Sequence, residues 1–292
     1  MQHVVLSPDA RPHTFLCGLL GAGIGASRSP ELHEREGAAL GLALVYRLLD
    51  AEVMGYGAAD LPGLLAMLGQ MGFAGVNVTH PFKQAAAELM DELSDAARAL
   101  GAVNTVVWRE GRLFGDNTDW SGYRAHFAAA LGDRPHGRVA LIGAGGAAAA
   151  VGYAHLDLGA EELRIFDTSA ERAAALAARL GALFPAAAVR AVASAAEAIT
   201  GADGVAQTSP VGMQGHAGLP FDPALLAPAM WVSDIIYFPA ETALLAAARA
   251  RGCATLNGAG MVVRQAADAL ARFTGHQPDT ARMLAAFHQH TP

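Results

Sequence analysis

Residues 138–151 read R-V-A-L-I-G-A-G-G-A-A-A-A-V. An apolar, β-branched run enters a glycine turn and passes straight into a helix-prone stretch. That order constrains the fold more than any other feature of the chain, because a buried strand followed at once by a helix is the first half of a βαβ unit and implies a parallel sheet. Gly143 permits the tight turn, Gly145 lets the backbone come close to a ligand, and Ala148 is small enough for close helix–strand packing. The helix start beyond the turn offers N–H donors and a partial positive charge, which suit a pyrophosphate. This segment is therefore expected to bind a dinucleotide.

The next strand, Glu162–Phe166, ends at Asp167, 24 residues after Gly143. That is close to the spacing of about 20 at which an acid meets the adenosine ribose. A carboxylate there accepts from ribose hydroxyls and repels a 2′-phosphate. Thr168 and Ser169 follow, and Arg172 is the nearby cation, so NAD is favoured and NADP remains possible. A lesser reading has Asp167 cap a helix starting at Ala170, and the two roles are compatible.

The chain has 292 residues, 53% of them hydrophobic and 16% charged, enough for two α/β domains each with its own core. The longest uncharged stretch, residues 139–156, contains four glycines, Tyr153 and His155, and reads as strand, turn and helix rather than a membrane span. No basic and apolar leader opens the sequence, so the cytoplasm is the expected compartment. The net charge of −7 gives no electrostatic reason to bind nucleic acid or an anionic membrane. Cys17 and Cys253 sit in apolar strand-like surroundings and are read as reduced core residues. The eleven histidines show no metal-ligand spacing, so no metal is expected. His33 and His80 read as packed or surface residues, and His288 and His290 as a solvated tail. The sequence leaves a homodimer open.

Before the glycine turn, strands are predicted at residues 14–19, 43–49 and 75–78, with helices from Glu31, over 61–71, from Lys83 through Leu93, and over 94–100. A hairpin about Glu110 and Gly111 follows, and the first domain closes at Asp119. Ser29 before Pro30 fits an N-cap and first helical position; Ser27 has no such role. After Asp167, strands are expected at 188–192, 204–207 and 231–236, with helices over 241–251, 261–273 and 279–288. The domain plan is thus 1–119, 120–256 and 257–292. A second cluster carries chemistry: in G-V-N-V-T-H-P-F-K-Q (75–84) a short strand runs into polar groups and leaves Lys83 near its carboxyl end, where ligands collect in open α/β sheets.

Taken in order, S-R-S-P, N-V-T-H-P-F-K-Q, G-A-V-N-T, G-D-N-T-D, G-A-G-G-A, Y-F-P-A-E-T-A-L-L and M-V-V-R-Q-A make nearly the whole chain resemble the shikimate and quinate dehydrogenases, and most closely their quinate/shikimate branch. The resemblance implies an α/β, two-domain enzyme: an N-terminal domain for a polyhydroxylated cyclohexane carboxylate, a Rossmann-like doubly wound domain for NAD(P), and last helices that pack back on the first domain. It implies that Ser27 and Ser29 hold the carboxylate, with Tyr237 nearby, and that Thr79, Asn104 and Gln265 surround the ring hydroxyls. Lys83 and Asp119 are the implied catalytic pair. Gly143, Ala144, Gly145, Gly146 and Ala147, with Asp167, Thr168 and Arg172, would carry the dinucleotide, and Val211, Met213, Gly258 and Met261 would border the nicotinamide. Two positions depart from the family pattern. Asp167-Thr168-Ser169 stands where many biosynthetic members have an Asn-Arg-type cluster, which weighs toward NAD, and Ser29 stands where quinate-using relatives can carry threonine.

Alcohol oxidation needs a group to accept the hydroxyl proton, and a neutral lysine serves. An aspartate beside it favours the charged form, so such a pair works most readily as an acid in ketone reduction. A dehydrogenase for an aminated shikimate analogue is the nearest enzyme alternative. A non-catalytic metabolite- or NAD-sensing domain is the alternative of another class, and the presence of both Lys83 and Asp119 weighs against it.

Overall fold

The computed structural model describes residues 14–289, so His290 lies outside the described residues. They form two compact units. The first comprises the chain up to Thr118 together with Ala266–Ala286, and the second comprises Asp119–Gln265 and the residues from Phe287.

The first unit is built from β1 (Thr14–Gly21), α1 (Ser29–Ala39), β2 (Ala43–Asp50), α2 (Ala51–Met54), α3 (Leu61–Gln70), β3 (Phe73–Val78), α4 (Lys83–Glu88), β4 (Glu92–Leu93), α5 (Asp95–Leu100), β5 (Thr105–Arg109) and β6 (Arg112–Asp116). Its six-stranded sheet has the order β2-β1-β3-β5-β6-β4. β1 pairs in parallel with β2 and β3, and β5 runs antiparallel to β3 and β6. Glu110 and Gly111 turn that hairpin with φ of 51° and 77°, the positive values a tight two-residue hairpin needs.

One element differs from expectation. The helix that begins at Lys83 ends at Glu88 rather than continuing through Leu93, and Glu92 and Leu93 pair with Phe114 and Gly115 of β6. The Asp91 carboxylate accepts the Leu113 N–H at 2.7 Å, and Met90 and Leu93 pack on the core, so a tertiary strand contact overrides local helix propensity. Ser94 then caps α5 by accepting from Ala97 N–H.

One sheet face is covered by Leu61, Leu64, Leu65, Leu68 and Phe82, and the other by Tyr46, Ala269 and Phe273. The last two come from the C-terminal helix α11 defined below. Glu36 of α1, buried, accepts from Asp279 N–H at 2.7 Å and from Arg282 at 2.6 Å, which docks the end of the chain on α1.

The second unit contains α6 (Thr118–Leu131), β7 (Arg138–Ile142), α7 (Ala148–Asp157), β8 (Glu162–Phe166), α8 (Ala170–Leu183), β9 (Ala188–Ala191), α9 (Ala195–Ile199), β10 (Gly204–Gln207), β11 (Trp231–Asp234), α10 (Ala243–Ala250), β12 (Ala254–Leu256), α11 (Ala259–Thr274) and α12 (Thr280–Gln289), the last two shared with the first unit. All its strands are parallel, in the order β12-β11-β10-β7-β8-β9. This is the doubly wound order of a dinucleotide-binding fold, with the chain reversing direction between β7 and β10. β11 ends two residues short of the expected Ile236, because the Asp234 carboxylate accepts Ile236 N–H at 3.1 Å and turns the chain out of the sheet.

Cys17 and Cys253 are buried free thiols, as expected. Among the described residues no helix is long and apolar enough to cross a membrane, and no group of His, Cys, Asp and Glu could hold a metal ion.

Candidate active site

Strand register gathers one set of candidate residues at a single edge of the first sheet. Gly21, Val78 and Asp116 close β1, β3 and β6, while Thr105 opens the antiparallel β5 opposite Asn77 and Asp116. Ser27 and Ser29 follow β1, Thr79 follows β3, Lys83 is the first residue of α4, and Asn104 directly precedes β5. Thr79 N–H donates to Leu20 O at 2.9 Å, and Val103 N–H donates to Lys83 O at 2.9 Å, so the three segments are tied by their backbones. Lys83 and Thr79 are half-buried. The buried Asn104 accepts Thr118 N–H on Oδ1 at 2.7 Å and donates through Nδ2 to Thr118 Oγ1 at 3.0 Å.

The reading of Ser29 as the cap of α1 is corrected. α1 starts at Ser29, with Arg28 at the N-cap position making no side-chain cap, and Ser27 Oγ accepts Ser29 N–H at 3.3 Å. Ser29 therefore has its hydroxyl available to pair with Ser27 Oγ at 3.1 Å instead of capping the helix. The two hydroxyls thus lie together at the start of α1, an arrangement suited to a carboxylate.

In the second unit Asp119 lies in the first turn of α6, and Gln265 lies on α11, where its Nε2 donates to Val262 O. The two helices approach closely there: a Cβ on Gly122 would lie 2.7 Å from Gln265 N. Tyr237 follows β11, is exposed, and meets Phe287 edge-on with ring centroids 5.9 Å apart.

The remaining candidates follow the carboxyl ends of the parallel strands. Gly143 has φ of 102°, and a Cβ there would lie 2.8 Å from Ser209 N, so both conformation and space require glycine. Gly145 and Gly146 are exposed, with nothing within 4 Å of an added Cβ, and Ala147 gives α7 no side-chain cap. An exposed glycine turn leading to a helix start without a side-chain cap fits a dinucleotide pyrophosphate.

Asp167 Oδ2 accepts Ala144 N–H at 2.7 Å, and its Oδ1 accepts from Ser169 N–H at 2.7 Å and from Arg172 at 2.8 Å. Burial raises the Asp167 pKa, but these donors outweigh it and hold the carboxyl below the usual range. The cap of α8 is Ser169, which accepts Arg172 N–H, so the reading of Asp167 as that cap is corrected: two residues of turn separate it from the helix. Thr168 is exposed beside it. Val211 and Met213 lie in the loop after β10, Gly258 between β12 and α11, and Met261, buried, in the first turn of α11.

Several residues that shape these edges were not singled out in the sequence. Asp50 accepts Gly23 N–H at 3.0 Å and Ile24 N–H at 2.9 Å, which pins the loop ahead of Ser27. Buried Gln207 braces Ser209 and Val211, and Thr208 Oγ1 lies 3.0 Å from the carbonyls of Ile142 and Gly143. Asp234 accepts the Thr242 hydroxyl at 2.8 Å across the loop that carries Tyr237, and burial pushes its carboxyl up to about 6 against that bond and the Ile236 N–H. Each follows or ends an apolar strand, which is the one signal the sequence offers; their partners are set by the fold.

Residues 19–106 match the family described as the shikimate dehydrogenase substrate binding domain. The shikimate dehydrogenase (NADP(+)) of Streptomyces avermitilis is 48% identical over 93% of this chain and 94% of its own. The quinate/shikimate dehydrogenase (NAD(+)) of Corynebacterium efficiens is 44% identical over 94% of this chain and 98% of its own. Among solved structures, quinate dehydrogenase from Corynebacterium glutamicum in complex with NAD matches with a TM-score of 0.91 and 42% identity, covering 95% of this chain and 99% of that one. With identity of this extent along both units, the chain belongs to the shikimate and quinate dehydrogenases, a family of NAD(P)-dependent oxidoreductases.

Proposed function

We propose that the protein catalyses the reversible, NAD-preferring oxidation of shikimate to 3-dehydroshikimate and of quinate to 3-dehydroquinate in the cytoplasm, with Lys83 and Asp119 as its acid–base pair. The observation that carries the reading is the shared sheet edge on which Ser27, Ser29, Thr79, Lys83 and Asn104 follow or precede strand ends. It offers hydroxyl donors for a carboxylate, amide and hydroxyl groups for ring alcohols, and one amine.

A nicotinamide, when bound, supplies the acceptor for the hydride that leaves the ring carbon. Ser27 and Ser29 hold the ring carboxylate, assisted by Tyr237, and Thr79, Asn104 and Gln265 hold ring hydroxyls. The neutral Lys83 amine takes the proton of the hydroxyl being oxidised and returns it as ammonium in the reverse direction. Asp119 is the acidic partner of that amine in the pair. Gly143–Ala147 and the start of α7 would hold the pyrophosphate, and Asp167 the adenosine ribose; Val211, Met213, Gly258 and Met261 would border the nicotinamide. The NAD preference is supported by the Asp167 carboxylate itself and by its ion pair with Arg172, the cation a 2′-phosphate would need.

The test is a steady-state comparison of shikimate and quinate against NAD and NADP. NADH formation with both ring acids, at a higher kcat/KM than with NADP, is the expected result. An equal or higher kcat/KM for NADP overturns the cofactor preference, and binding of NAD without turnover of any ring hydroxy acid supports a sensor instead.

A further inference from the structure

Behind the two serines runs a buried hydrogen-bond chain that the reaction as described leaves unused. Tyr46 of β2 donates from its hydroxyl to Asn77 Oδ1 at 2.7 Å. Both hydrogens of the Asn77 amide are engaged, with Asn104 O at 3.2 Å and Thr105 Oγ1 at 3.1 Å. Thr105 in turn donates to Asn104 Oδ1 at 2.9 Å, and Asn104 bonds Thr118, the residue directly before Asp119. All five side chains are buried. Donor and acceptor roles run in one sense along the chain, which fixes which way the Asn77 and Asn104 amides point.

The other end of the chain reaches the carboxylate anchor. The Tyr46 ring stacks on His33 at a centroid distance of 4.2 Å, and His33 Nδ1 bonds Ser29 O at 2.8 Å. Burial holds His33 neutral, down to about 4, and burial with the nearby Cys17 keeps the Tyr46 phenol protonated, well above its ordinary range. A phenylalanine at 46 and a valine at 105 would fill this space without polar requirements. Five polar side chains, each needing a partner, make a single arrangement instead of a merely filled core.

We propose that Tyr46 and Thr105 are positioning residues of the dehydrogenase, holding the carboxylate anchor Ser29 and the ring-hydroxyl anchor Asn104 in one frame through the chain Tyr46–Asn77–Thr105–Asn104–Thr118. The proposal rests on the reading of Ser29 and Asn104 as substrate contacts. Tyr46 reaches Ser29 through His33 and Asn104 through Asn77, whereas Thr105 bonds Asn104 directly. Their substitutions therefore have different kinetic signatures.

The experiment measures kcat, KM for shikimate and for NAD, calorimetric shikimate affinity and thermal melting for wild type, Tyr46→Phe, Thr105→Val and Thr105→Ser. Tyr46→Phe is expected to raise the shikimate KM and dissociation constant about tenfold and to lower kcat about tenfold, with the NAD KM unchanged within about twofold. Thr105→Val is expected to lower kcat about tenfold with the shikimate KM unchanged within about twofold, and Thr105→Ser, which keeps the hydroxyl, restores kcat. Wild-type parameters in both Tyr46→Phe and Thr105→Val, or a Thr105→Ser no better than Thr105→Val, overturn the proposal. If Tyr46→Phe does not fold, the Thr105 pair decides it. A wild type that neither binds nor turns over a ring hydroxy acid overturns the functional reading and the positioning role together, whereas an active wild type with silent variants overturns the positioning role alone.

Discussion

Asp167 accepts the backbone N–H of Ala144 at 2.7 Å, so the acid that follows β8 also holds the glycine turn that follows β7. The same carboxylate pairs with Arg172 through its other oxygen. The glycine turn and the position of Arg172 are therefore coupled through one side chain.

Replacing Asp167 with Ser removes the charge that repels a 2′-phosphate and releases Arg172 to meet it. The ratio of kcat/KM for NADP over NAD should rise about tenfold or more, equivalent to roughly 1.4 kcal/mol of transition-state preference. An unchanged ratio in steady-state assays would sink the ribose assignment of Asp167.

Lys83→Ala should lower kcat by a factor on the order of 10² to 10⁴, the scale of a lost general acid–base. Ser27→Ala, by contrast, should act mainly on the shikimate KM.

Two glycines separate ligand approach from folding. A Cβ on Gly258 would lie 1.8 Å from Ile235 O, a backbone atom, so Gly258→Ala should destabilise the fold by about 3 kcal/mol or more in denaturant titrations. Gly145 has open space around it. Gly145→Ala should leave stability within about 0.5 kcal/mol of wild type, while weakening NAD binding about tenfold by calorimetry if the pyrophosphate comes as close as the turn allows.

Stability should fall with acid through two buried histidines. Burial lowers His33 to about 4 and His155 to about 3, the latter with a smaller push from His136. Unfolded histidine titrates near 6.5, so their contribution is complete above that pH and is lost as pH falls, at about 1.4 kcal/mol per pH unit for each. Asp234, raised to about 6 by burial, acts in the opposite sense between 6 and its unfolded value near 3.8. Between about pH 5.5 and 4.5 the slope of unfolding free energy against pH in His155→Leu should be shallower than wild type by about 1.4 kcal/mol per unit. Equal slopes would mean that His155 takes up its proton in the folded state.

The parallel sheet of the second unit was legible because its signals are local: an apolar run, a glycine whose φ of 102° excludes other residues, and a helix at once after it. The same holds for the hairpin at Glu110 and Gly111. Where a long-range contact competes with a local preference, the reading failed. Residues 89–93 carry a helical pattern, yet Leu93 pairs with Gly115 across the sheet. Ser29 before Pro30 has the sequence of a cap, yet Ser27 accepts the amide because the loop pinned by Asp50 brings it there.

By itself, the sequence determined the order and type of most elements, the family, and the residue types that can hold an anionic ring and a dinucleotide, since periodicity, turn chemistry and motif order are properties of neighbours along the chain. Only the tertiary structure decided which polar groups bond across the fold: Tyr46 with Asn77, 31 residues apart, Asp167 with the Ala144 N–H, 23 apart, and Arg272 with Asp116, 156 apart. Those partners are selected by strand register and by where the last helices return. Burial makes each selection strict, because a polar group withdrawn from water is tolerated only where the fold supplies its partner.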